Sequence, residues 1–174
     1  MIDSPQPSCD EQPSWGRVAA FGLLAFGALS SYGFARPAVE SMFLGTYGPA
    51  GEPYAWLAVA VVAVTVVAFY NRHAQRAHPA RLFAVTATLS AVILLILLVA
   101  RQAGLPGIDF ALYVWKDVYI VVLVEIFWTY ANQVFAVDRA RWLYGAFLLA
   151  GAAGSVVANL GVGVIAERWG TLYA

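Results

Sequence analysis

Five stretches of the chain are apolar on every side of a would-be helix: Val18–Phe34, Tyr54–Tyr70, Leu82–Ala100, Leu112–Val137 and Trp142–Ala166. A soluble helix needs only a stripe of such residues facing a core, whereas apolar residues all round suit a helix enclosed by lipid. Crossing a hydrocarbon layer of about 30 Å takes about 20 helical residues, so each stretch with its flanks is long enough. Composition agrees, with 61% hydrophobic and 11% charged residues, against roughly 25% charged in ordinary soluble domains. The reading is an all-α, polytopic transmembrane helical bundle of five spans, with the lipid bilayer as its first partner.

Several function classes are disfavoured. The formal net charge is zero and Lys116 is the only lysine, so the clustered basic surface of a nucleic-acid binder is missing. Cys9 is the single cysteine, which leaves neither a disulfide nor a Cys-rich metal site to draw. His73 and His78 stand in an Arg-rich loop without nearby carboxylates, and read as solvated loop residues rather than a metal site. No phosphate-binding Gly-rich loop, metalloprotease signature or nucleophile elbow occurs, so no enzyme and no resident cofactor is expected.

The polar tail, residues 1–15, holds Asp3, Asp10 and Glu11 but no Lys or Arg, unlike the positive start of a cleavable signal, so the first span is expected to be retained. Gly45 to Pro53 and Gly104-Leu105-Pro106-Gly107 carry turn chemistry between spans, and the stretch Asn71 to Arg81 separates the second and third. An N-terminus on the cytoplasmic side places Arg17, Arg72, Arg76, Arg81, Arg139 and Arg141 inside, and Arg36, Arg101, Lys116 and Arg168 elsewhere, in keeping with the positive-inside tendency. In the fifth span Ala150, Gly154 and Ala158, and Gly151 and Ser155, recur at four-residue spacing. Small residues let backbones approach closely in lipid, so this helix is expected to be central, with Gly151, Gly154, Ser155 and Ala158 as its packing face.

Ionisable groups inside a membrane usually face a partner, a cavity or a solute. Arg36 and Glu40 are four apart and can pair along one helix face beside Pro37. Either Pro37 interrupts the helix within the membrane, as in many transporter sites, or the span ends near Phe34 and the pair lies at the interface. Trp115, Lys116 and Asp117 open the fourth span. Glu125, Trp128, Thr129 and Asn132 follow at helical spacing as one polar-aromatic stripe, expected to line a cavity. Lys116 lies nine residues before Glu125, about half a turn out of phase, which argues against a direct pair. Trp115 and Trp128 suit stacking on a base, but interfacial anchoring and helix packing explain them as well.

The run Phe127-Trp128-Thr129-Tyr130-Ala131-Asn132-Gln133-Val134-Phe135, then Ala140-Arg141-Trp142-Leu143-Tyr144-Gly145 and the Gly-rich fifth span, resembles the ATP/ADP translocase family and its bacterial relatives in the major facilitator superfamily. The resemblance covers about residues 112–166. It implies the first half of a major-facilitator-like fold in a bacterial inner membrane, moving nucleotides or another small anionic solute by alternating access. Arg36 stands about where that family has a basic residue in its first helix, implicated in substrate recognition. Where the nucleotide carriers have an acidic residue near the start of the fourth helix, this chain has Lys116, with Asp117 one place on. Such transporters pair two six-helix halves, so the chain is expected to stop short of a sixth helix. The second half would come from a longer chain or another subunit. A non-transporting scaffold on the same fold is the rival reading.

Overall fold

The computed structural model describes residues 15–74, 78–135 and 137–169, with the side chains of 71, 73, 74, 137–141 and 169 outside the description. The polar tail before Trp15, the His73 side chain and the basic pair Arg139 and Arg141 therefore lie outside the described residues. Within them the chain is all helix: α1 (Trp15–Tyr47), a short 3-10 turn (Pro49–Gly51), α2 (Glu52–Ala74), α3 (Pro79–Gln102), α4 (Ile108–Val134) and α5 (Val137–Trp169). Among the described residues there is no strand. Gly104 and Gly107 take positive φ, 74° and 81°, in the turn between α3 and α4, a conformation that a Cβ would strain.

Four helices are long and apolar enough to cross a membrane: α1, α2, α3 and α5. The protein is an integral membrane bundle on that ground. The five predicted stretches fall on the five long helices among the described residues; α4 is the one less apolar than the rest, carrying Asp109, Lys116, Asp117 and Glu125. The reason is its position. α4 packs against α1, α2 and α3 together, and its buried face runs from Leu112 through Val118 and Ile126 to Ala131. A helix enclosed by protein can hold polar groups that a lipid-facing helix cannot.

α1 also departs from expectation. It continues through Pro37 to Tyr47 as one helix of 33 residues, about 50 Å at 1.5 Å per residue. Neither an interruption at Pro37 nor an end near Phe34 is observed, so Arg36 and Glu40 sit on unbroken helix. Pro37 cannot donate to the Gly33 carbonyl one turn back, yet a single missing bond in so long a helix is tolerated.

The most extensive packing joins α1 to α5, and small residues make it possible. A Cβ on Gly154 would stand 2.4 Å from the Phe26 carbonyl oxygen, one on Gly151 2.6 Å from Leu29 Cδ1, and one on Gly33 2.8 Å from Ala158 Cβ. Ala158 is fully buried. The packing role of the small residues stands, but the central position belongs to α4, and α5 lies along α1.

α1 and α4 run antiparallel. Thr46 donates to Asp109 Oδ2 at 2.6 Å at one end, Tyr32 to Asp117 Oδ1 at 2.8 Å midway, and Phe21 meets Phe127 with ring centroids 5.8 Å apart at the other. That last contact belongs to an aromatic cluster in which Phe147 of α5 and Phe135 also touch Phe21. At the opposite end, Arg101 of α3 donates to Asp109 Oδ1 at 2.6 Å, so one carboxylate ties three helices. Asp109 also lies in the first turn of α4, where negative charge is favourable. Asp109→Asn should cost about 1 kcal/mol, read as a lower melting temperature in detergent. An unchanged melt would make the tie incidental.

Candidate functional site

The candidate site is a cross-helix charge network between the middle of α1 and the first third of α4. On α1, Tyr32, Arg36 and Glu40 are each one turn apart and share a face. Arg36 Nε donates to Glu40 Oε1 at 2.8 Å. The same Glu40 oxygen lies 3.5 Å from Lys116 Nζ of α4, and Lys116 donates to Asp117 Oδ1 at 2.9 Å. Tyr32 closes the circuit through its hydrogen bond to that Asp117 oxygen. Two cations and two carboxylates are therefore linked in one chain, Arg36, Glu40, Lys116 and Asp117, with a phenol across its end.

Burial differs sharply among the four. The Lys116 side chain is 1% exposed, that of Asp117 21%, Glu40 31% and Arg36 55%. A buried ammonium is tolerated only when paired, and Lys116 has two carboxylates and the face of the Tyr113 ring, 4.0 Å from its Nζ. Arg36 lies at the open edge, its guanidinium carbon 6.0 Å from the Tyr32 ring centroid. A cleft of about 260 Å³ opens there between α1 and α5, lined by Tyr32, Arg36, Pro37, Glu40, Ser155 and Asn159. Asn159 Nδ2 donates to the Ser155 carbonyl at 2.9 Å, one turn back on α5.

Of the residues singled out from sequence, Arg36, Glu40, Lys116 and Asp117 come together here. Glu125, Trp128 and Asn132 do not join them, since Glu125 lies eight residues beyond Asp117, about 12 Å along the helix. Among the described residues the predicted stripe lies open on the surface of α4. Glu125 and Asn132 are exposed, on a strip between the side of α4 that meets α2 through Val122 and Ile126 and the side that meets α5 through Trp128. Among the described residues Glu125 makes no hydrogen bond or ion pair, and it is not paired with Lys116, as the helical phase indicates. Asn132 accepts a hydrogen bond from the Tyr144 hydroxyl. Trp128 packs edge-on against Tyr144, centroids 5.0 Å apart, which is the packing explanation. Trp115 turns to the α2 side and packs with the Val114 and Val118 cluster, its buried indole N–H without a hydrogen-bond partner among the described residues. It does not line the cleft.

Tyr32 and Asn159 were not singled out from sequence. Tyr32 was legible, because it stands one turn before Arg36 on the same face; Asn159 was legible only as a polar residue in an apolar span. A second hollow, about 320 Å³ between α1, α3 and α4, is apolar and walled by small residues such as Gly27, Ala28, Ala87 and Ala91. It offers no charged group. No group of three or more His, Cys, Asp or Glu side chains stands ready for a metal ion among the described residues. The comparisons add no assignment: no family model, no curated protein and no solved structure matches the chain.

Proposed function

We propose that the chain is one half of a secondary transporter of the major facilitator type, which moves a small charged organic solute by alternating access and binds the solute's anionic group at Arg36. The observation that carries this reading is the charge network itself. A buried lysine inside a membrane bundle is costly to keep, and here it holds a carboxylate, Glu40, that also holds the exposed guanidinium at the mouth of a cleft. An incoming anion can take Arg36 from Glu40 while Glu40 stays on Lys116. Glu40 keeps a cationic partner throughout the exchange. The open strip with Glu125, Trp128 and Asn132, a separate surface about 12 Å further along α4, is free to face the second half that alternating access requires. The resemblance of the 112–166 region points to nucleotides as the first solutes to try, with the N-terminus on the cytoplasmic side of a bacterial inner membrane.

The test is counterflow of labelled ADP and of small organic acids in proteoliposomes holding the native polypeptide. Arg36→Gln should reduce flux of the true solute at least about tenfold, the scale of one lost charge-assisted bond, while Arg36→Lys retains part of it. Unchanged flux in folded Arg36→Gln protein would remove Arg36 from the path. One observation favours a non-transporting scaffold: the network is complete without a solute, each charge having a partner. If no solute moves and the network variants only lower stability, the scaffold reading takes its place.

A further inference from the structure

The network is neutral as it stands, with Arg36 and Lys116 against Glu40 and Asp117. That balance restricts which solute the cleft can accept. A net anion entering at Arg36 would leave the network, which reaches inward to a lysine 1% exposed, with one negative charge too many. In a low-dielectric surround an uncompensated charge is heavily penalised, and the penalty falls on the complex rather than on the empty site. A net cation at Glu40 fails for the mirror reason.

We propose that the cleft between α1 and α5 is a binding site for small zwitterionic solutes of the α-amino acid type. This rests on the transport reading of the same site and narrows its substrate class. Arg36 and Glu40 form the exchangeable pair: they are the two most exposed members of the network, and they touch each other at 2.8 Å at the cleft. A zwitterion inserts between them. Its carboxylate replaces Glu40 on the guanidinium, its ammonium replaces Arg36 on the Glu40 carboxylate, and the total charge stays zero. Lys116, 1% exposed and 3.5 Å from Glu40, keeps that carboxylate in place while Arg36 is drawn off. The Tyr32 ring and Asn159 supply an aromatic wall and an amide at the rim. The volume, about 260 Å³, lies at or below the low end of ordinary ligand pockets, which suits an amino acid better than a nucleotide.

The test is thermal stabilisation of the whole chain in lipid nanodiscs by matched probes at equal concentration. One set is alanine, propionate and ethylamine; the other is leucine, 4-methylpentanoate and isoamylamine, with ADP as a net anion. The zwitterion of at least one set should bind about tenfold tighter than its anion or its amine. Glu40→Gln leaves an excess positive charge and should shift preference to the anion. Arg36→Gln leaves an excess negative charge and should shift it to the amine, so opposite switches from two neighbouring residues separate charge balance from misfolding. If propionate, 4-methylpentanoate or ADP binds as tightly as the zwitterions, the proposal is overturned while an anion transporter stands. If no probe stabilises the protein, it is also overturned. Zwitterion binding without flux in the proteoliposome assay would instead sustain the site and sink transport.

Discussion

Lys116→Met should lower unfolding stability by about 3–5 kcal/mol, the scale for breaking a buried ion pair from one side. The ammonium is almost wholly enclosed and touches Glu40, Asp117 and the Tyr113 ring. Removing it leaves two carboxylates with Arg36 as their one cation, and Arg36 is bonded to Glu40, not to Asp117. The cost therefore comes from the stranded negative charge, not from the loss of lysine's packing, since methionine fills similar space. A second substitution makes the argument sharper. Asp117→Asn in the same protein removes the excess charge while keeping an acceptor for Tyr32, and should recover most of the loss. A single-site packing effect predicts additive losses instead. Stability would be read by reversible unfolding in mixed detergent micelles. If Lys116→Met unfolds at the wild-type midpoint, the network is wetted by solvent, which would also remove the ground for charge balance at the cleft.

How far the sequence reaches is visible at particular residues. Arg36 and Glu40 were legible as a pair because helical spacing is local, and Lys116 was correctly kept off Glu125 for the same reason. That Lys116 finds Glu40 instead was not legible, since the antiparallel register of α1 on α4 is set by contacts such as Thr46 with Asp109 that no local spacing encodes. Pro37 misleads: its chemistry signals a helix break, but α1 continues through it as helix, with α5 packed against Gly33 one turn before. The polar groups of α4 pointed to function and equally explain why it is the most enclosed helix. Periodicity alone could not tell a lipid-facing span from a protein-facing one. Small residues in α5 announced a close neighbour without naming it, and the neighbour proved to be α1.

Gly154→Val should be the most damaging change on the seam between α1 and α5, costing about 3 kcal/mol, the upper end for forced overpacking. The first added carbon would meet the Phe26 carbonyl oxygen at 2.4 Å and Ser30 Oγ at 2.7 Å. The carbonyl belongs to helical backbone and cannot swing aside, so the two helices must separate. Gly151 faces Leu29 Cδ1 at 2.6 Å, the far end of a flexible side chain, and Gly151→Ala should cost clearly less. Gly163 has nothing within 4 Å, and Gly163→Ala should be neutral or slightly stabilising, because alanine favours helix by about 1 kcal/mol over glycine. The ranking matters for the site as well as for stability. Ser155 and Asn159 line the cleft from α5 while Arg36 and Glu40 line it from α1, so spreading the seam widens the cleft and weakens any solute that bridges it. The three variants compared by unfolding midpoint and by probe binding test both points together. Equal losses at all three positions would show that the seam is held by general apolar contact and not by the close approach at Gly154.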